Sequence, residues 1–274
     1  MTRQNHRETE MDFATYATML FERRGRVLHA QFNRPDALNA IDHATHKDLA
    51  RLFCDVADDD QTNVLVLSGA GKAFSAGGDL DYIQQMIDSP QMFYDDMGDI
   101  KKIVFSMLDC PKPIIAKLHG SAIGLGATIA LFCDIVMAAP GVRIADPHVR
   151  LGFAAGDGGA VIWPHLIGHA RAKEFLMTGR PITAEEAERM GLINRVVPRE
   201  ELDKAVNELA EELSNGATRA IQWTKLSINI GLKQLAHTVM DASVAYEALS
   251  NMTTDHREAV RALREKRPPV FTGQ

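Results

Sequence analysis

Three observations predict an α/β protein followed by a helical C-terminal region. Short apolar runs, each closed by a glycine or a turn, recur along the first two-thirds of the chain. Stretches with apolar residues at helical spacing separate them. Beyond about residue 199 the strand character disappears. Strands alternating with helices define the α/β class. The expected division is a charged, disordered tail over 1–12, a core over 13–198 and a helical region over 199–274.

In chain order, Val27-Leu28-His29-Ala30-Gln31-Phe32 reads as a strand closed by the turn Asn33-Arg34-Pro35-Asp36. Residues 43–58 read as an amphipathic helix, because Leu49, Leu52, Phe53 and Val56 fall on one face. Residues 63–69, 113–120 and 134–139 are short apolar runs of the kind that form strands buried on both faces. Helices are expected between them, over about 96–108 and 124–133. In the last part, Leu202, Val206, Leu209, Ala210 and Leu213 share a helical face, and Ile221, Leu226, Ile228 and Leu232 continue in another helix. Three or four helices are expected there, with apolar faces suited to oligomerisation.

Bulk properties exclude several functions. A chain of 274 residues can bury a large core. Its net charge of −6 gives nucleic-acid binding no support. No apolar stretch is long enough to span a bilayer, and the polar N-terminus lacks the apolar region of a secretory signal. Cys54, Cys110 and Cys133 form no CxxC pair and no metal-type pattern with histidine. A cytoplasmic protein with reduced thiols and no metal site is expected.

Three segments are rich in glycine. Gly71-Lys72-Ala73-Phe74-Ser75-Ala76-Gly77-Gly78-Asp79-Leu80 follows a strand. His119-Gly120-Ser121-Ala122-Ile123-Gly124-Leu125-Gly126-Ala127 joins a strand to a helix. Such a junction presents free backbone N–H groups and the positive end of a helix dipole, which suits a phosphate or an oxyanion. Neither segment carries the GK[ST] of a P-loop or a full dinucleotide fingerprint. The third segment, Asp146 to Gly159, holds one His and two Asp and then enters an apolar helix containing Trp163. Its loop can fold back to bring His148 against Asp157. Asp157 could instead cap the following helix. Asp79 and Asp81 read as turn or cap residues, and His119 has no visible partner.

In this order, the segments resemble the enoyl-CoA hydratase/isomerase (crotonase) superfamily. Asn33-Arg34-Pro35 with Ala37-Leu38-Asn39-Ala40 is similar to its first coenzyme-A loop. Lys72 to Leu80 is similar to its first oxyanion loop. His119 to Gly126, followed by Cys133-Asp134-Ile135, is similar to its second. Thr178 to Ala187 with Gly191-Leu192-Ile193 resembles the segment that closes the core. The match runs from about residue 25 to 271. The resemblance implies a spiral of ββα turns, with a C-terminal helical region that makes trimers or hexamers. It implies that the backbone N–H groups of Gly78 and Leu125 hold a thioester oxygen. It also implies that Asp36, Ala37, Leu38, Ala76 and Leu80 lie along coenzyme A and that Lys266 serves the nucleotide phosphates of a neighbouring subunit. Coenzyme A would enter as part of an acyl-CoA substrate, with no permanently bound cofactor and no metal.

The chain departs from the family's hydratases at both of their glutamates, where it has Thr128 and His148. Adding water to a double bond needs one group to activate water and one to deliver a proton, and Thr128, expected to line the pocket, does neither at neutral pH. Pro147-His148 and Gly156-Asp157-Gly158, with Trp163-Pro164-His165, resemble the β-diketone hydrolase (6-oxocamphor hydrolase) branch. Leu125 stands where that branch carries a second His. The expected chemistry is therefore C–C hydrolysis of a 3-oxoacyl-CoA, with His148 as base and Asp157 as its partner. Two alternatives are an enoyl-CoA hydratase or lyase with an acid not evident in the sequence, and a non-catalytic acyl-CoA-binding protein.

Overall fold

The computed structural model describes residues 11–274. Its main sheet begins with a hairpin, β1 (Met19–Arg24) antiparallel to β2 (Val27–Phe32). Four parallel strands follow in spatial order: β3 (Val64–Gly69), β4 (Ile114–Leu118), β6 (Ile135–Ala138) and β9 (Arg195–Val196). Every residue of β3 is buried, as expected of a parallel strand covered on both faces. A second sheet of three short strands, β5 (Ala122–Ile123), β7 (Arg143–Ala145) and β8 (Ile182–Thr183), turns away from the first. The sequence gives little sign of these strands, because two residues are too short to show a period.

Helix α1 (His43–Asp58) starts where Asp42 accepts from Thr45 N at 2.8 Å and buries Leu49, Leu52, Phe53 and Val56. Helix α2 (Leu80–Asp88) leads into α3 (Pro90–Asp109), which packs against both α1 and α2. Asp79 caps α2 by accepting from Asp81 N and Tyr82 N. Helix α4 (Leu125–Phe132) connects β5 to β6 and is buried almost throughout. After β7 come α5 (Gly159–Ile167), α6 (His169–Thr178) and α7 (Ala184–Met190).

The C-terminal region is three helices, α8 (Leu202–Asn215), α9 (Thr218–Asn251) and α10 (Thr254–Arg264). Ile221, Leu226, Ile228 and Leu232 lie in α9 as expected, with Ile228 72% exposed. The buried stripe of α9 instead runs through Gln222, Lys225, Ala236, Met240, Ser243, Glu247 and Asn251. Polar residues occupy much of that stripe, so hydrophobic spacing alone does not find it. Of the tail expected over 1–12, residues 1–10 lie outside the described residues. Met11 N donates to Asp59 at 3.4 Å, and Asp12 caps a short turn over Phe13–Thr15.

Candidate active site

The two glycine-rich loops are held together by backbone bonds. Ile123 N donates to Ser75 O at 3.0 Å, and Phe74 N and Ser75 N both donate to Ser121 O at 3.1 Å. A Cβ on Gly126 would fall 2.6 Å from Ser75 Cβ, so glycine is what allows this approach. Gly77 has φ +86°, and a Cβ there would lie 2.8 Å from Ile123 O. Leu125 is the first residue of α4, so its N–H has no intrahelical acceptor. Neither Gly78 N–H nor Leu125 N–H has a protein acceptor among the described residues. Both residues line a cavity of about 560 Å³.

His148, Asp157 and Glu247 line the same cavity. His148 opens a 3-10 turn over His148–Leu151, and Phe153 stacks on its ring with centroids 5.8 Å apart. Phe153 stacks in turn on His256 of α10 at 4.6 Å. His148 Nδ1 bonds Asp146, and Nε2 lies 3.5 Å from Asp157 Oδ2. Asp157 Oδ1 accepts from the Thr128 hydroxyl at 3.1 Å and from Gly159 N at 3.4 Å. Asp157 is therefore near His148, as expected, but it is not the N-cap of α5: Gly158 holds that position, and Asp157 reaches the first helical N–H from the residue before it. Asp157 Oδ2 and Glu247 Oε2 are buried without a hydrogen-bond partner. Glu247 reaches the site because Gly156 leaves room for it, where a Cβ would lie 2.6 Å from Oε2.

Charge decides the roles. Burial opposes protonation of His148, but Asp146, Asp157 and Glu247 outweigh it and push the imidazole up to about 10. At neutral pH it is a cation. The expected role of His148 is a base with Asp157 as its partner; its hydrogen-bonded partner is Asp146, Asp157 lies at 3.5 Å, and the raised value favours the protonated ring. Burial raises Asp157, against the pull of His148. Burial, then repulsion from Asp157, raises Glu247 well above the ordinary range and so favours its protonated form. The ligand atoms of Asp146, His148 and Asp157 lie within 4.8 Å of one another, a spacing that can also hold a divalent cation.

The remaining expected residues divide. Ala76 and Leu80 line the cavity. Asp36, Ala37 and Leu38 form the neighbouring turn, tied to the first glycine loop by Ala76 N donating to Leu38 O at 3.0 Å. They do not face the cavity. Lys266, with φ +55°, is exposed just beyond α10; it does not line the cavity, although its N–H donates to the oxygen of Leu263, which does. Thr128 is not pocket lining, since it stands 1% exposed behind Asp157. Sequence reasoning missed Asp146 as the histidine's partner, and it missed Glu247. The available signal for Glu247 was a carboxylate in register with the apolar residues Ala236, Met240 and Val244 of one helix.

Glu247 provides a first test. Its folded-state value is raised, so the stability it contributes is present below the ordinary carboxylate range and is lost as pH rises through the folded value. Near neutral pH its burial costs stability. Glu247→Gln is expected to raise the melting temperature at alkaline pH by a few degrees, roughly 1 kcal/mol, and to flatten the fall in stability that begins above the ordinary carboxylate range. An unchanged melting curve would mean that Glu247 is not a buried acid.

Two free backbone donors beside a buried cluster of ionisable groups are an arrangement suited to an enzyme site. The chain belongs to the enoyl-CoA hydratase/isomerase family, whose model matches residues 22–274. It is 33% identical over 255 residues to the short-chain-enoyl-CoA hydratase of Clostridium acetobutylicum, covering 91% of this chain and 95% of that protein. It is also 33% identical over 250 residues to the 1,2-epoxyphenylacetyl-CoA isomerase of Escherichia coli strain K12, covering 90% and 95%. A solved enoyl-CoA hydratase/isomerase from Mycobacterium paratuberculosis superposes with a TM-score of 0.84 at 34% identity, over 89% of this chain and 97% of that one. The crotonase fold expected from the motifs is the fold observed.

Proposed function

We propose that this protein is an acyl-CoA enzyme that performs water chemistry on its bound acyl group, with C–C hydrolysis of a 3-oxoacyl-CoA as the favoured reaction. The observation that carries this reading is His148 held between Asp146 and Asp157 in a cavity shared with Gly78 and Leu125. In this reading the thioester oxygen accepts from the Gly78 and Leu125 N–H groups. Asp157, with its free oxygen, takes a proton from water, and the hydroxide adds to the C3 carbonyl. The C2–C3 bond breaks, its electron pair passes to the thioester as an enolate, and His148 returns a proton to C2. The products are a carboxylic acid and a shortened acyl-CoA, or one ring-opened product from a cyclic substrate. Asp36, Ala37, Leu38, Ala76 and Leu80 would lie along coenzyme A, with Lys266 near the phosphates of a neighbouring subunit.

A second reading, hydration of a 2-enoyl-CoA, is favoured by Glu247. Burial favours the protonated form of Glu247, and Asp157 is drawn the other way by His148, so the pair offers the acid and base that the route needs. The names of the relatives support hydration as well.

Self-association belongs to the same proposal. Trp223, Ile230, Tyr246 and Leu249 of α9 stand 64%, 60%, 64% and 58% exposed, a surface suited to burial in a homotrimer or a dimer of trimers. No described helix is long and apolar enough to cross a membrane. A cytoplasmic location fits.

Mass spectrometry in H₂¹⁸O separates the readings. Wild type and His148→Ala would each be given crotonyl-CoA, longer enoyl-CoAs and cyclic 3-oxoacyl-CoAs. Label in a new carboxylate, lost in the variant, is the expected result. Labelled 3-hydroxyacyl-CoA formed by both proteins would favour hydration through Glu247. No turnover of any thioester, with binding intact, would leave an acyl-CoA-binding protein.

A further inference from the structure

The cavity contains a second polar cluster, built from different elements. His46 of α1, Tyr82 of α2 and Asp96 of α3 line it, among the apolar side chains of Ile41, Ile83, Met86, Phe93 and Ile100. Two ring contacts separate this cluster from His148. Phe153 stacks on His148, Phe93 meets Phe153 edge-on at 6.0 Å, and Asp96 lies on the same face of α3 as Phe93.

Most of the cluster is internally satisfied. Asp96 accepts from the Tyr82 hydroxyl at 2.5 Å and from Lys47 Nζ at 2.7 Å, with His43 Nδ1 at 3.2 Å. Lys47 also bonds Asp99 at 2.5 Å, so its ammonium serves both carboxylates and no bound cation is required. His46 differs. It is 4% exposed, and its Nδ1 has no hydrogen-bond partner. Burial pushes its imidazole down to about 4, leaving a neutral ring at physiological pH with one donor and one acceptor nitrogen. The Tyr82 hydroxyl donates its hydrogen bond to Asp96, which leaves its oxygen able to accept one.

We propose that His46 and Tyr82 recognise a second oxygen function on the acyl group, beyond the C3 position, so that the substrates are hydroxy- or oxo-substituted acyl-CoAs rather than plain alkyl ones. The proposal rests on the acyl-CoA reading above. A buried polar atom left unpaired in an apolar wall costs free energy, which a ligand hydroxyl or carbonyl relieves and a methylene does not. A site built to bond an oxygen discriminates against the analogue lacking it more strongly than an apolar pocket discriminates by size.

Calorimetric binding of saturated thioesters tests this without turnover. Hexanoyl-CoA is compared with hexanoyl-CoAs carrying a hydroxyl or oxo group at C4, C5 or C6. Wild type is expected to bind the best oxygenated thioester about tenfold more tightly than hexanoyl-CoA, about 1.4 kcal/mol. In His46→Leu the ratio should fall to about one, and in Tyr82→Phe, which keeps the ring packing, it should shrink. The proposal is overturned if hexanoyl-CoA binds wild type as tightly as every oxygenated analogue, or if the preference survives both substitutions. Binding of hexanoyl-CoA without any preference would leave the acyl-CoA reading intact. Binding of no thioester would overturn both.

Discussion

Replacing His148 with asparagine is expected to lower kcat/KM by about 10²–10⁴, the usual contribution of a positioned acid–base group. Asparagine can still hydrogen-bond Asp146, but it cannot carry or deliver a proton. The pH profile adds a second readout. A histidine acting as a neutral base would give activity that rises through 6.5. Here Asp146, Asp157 and Glu247 push His148 up to about 10, so wild-type activity should show no rise near 6.5 and should fall as pH passes about 10. Stability follows the same sign. The folded value is raised above the unfolded one, so the contribution is full below about 6.5 and is lost as pH rises through about 10. The wild type's advantage in melting temperature over His148→Asn should therefore narrow toward pH 10. Steady-state kinetics from pH 6 to 10.5, with a melting curve at each point, would check this. A variant with wild-type kcat/KM would remove His148 from the chemistry.

Replacing Leu125 with proline is expected to cost about 10²–10³ in kcat, the value of one oxyanion donor. Leu125 is the first residue of α4, a position where proline's fixed φ suits the helix and its missing N–H breaks no helical bond. The preceding residue is Gly124, which tolerates the restriction that proline imposes. Leu125→Ala controls for the side chain and should keep most of the rate. Equal losses in the two variants would show that the side chain, not the backbone donor, matters.

Local features of the fold were legible in the sequence. The strand over 27–32 and the helix over 43–58 match the structure residue for residue, and the runs near 63–69, 113–120 and 134–139 became parallel strands. Short apolar strands buried on both faces leave a strong pattern, and so does a helix with four apolar residues on one side. The oxyanion loops were legible for a related reason. Close approach of two backbones demands glycine at particular places, such as Gly77 and Gly126, and glycine is visible in a sequence.

The sequence by itself determined the fold class, the two glycine loops and the importance of the Asp146–Gly159 segment. Only the tertiary structure decided the chemistry within that segment. Asp146 and Asp157 are equivalent as letters. Their roles differ because the 3-10 turn at His148 aims Nδ1 at one and leaves Nε2 facing the other. Glu247 and His46 come from helices distant in the chain; Glu247 shares a helical register with Ala236, Met240 and Val244, but neither helix by itself shows that its polar group meets the site. They matter because packing buries them against the cavity, and burial shifts both groups toward their neutral forms: it raises Glu247 and lowers His46. A pKa depends on surroundings that the fold assembles from the whole chain, so it cannot be read from neighbours in sequence.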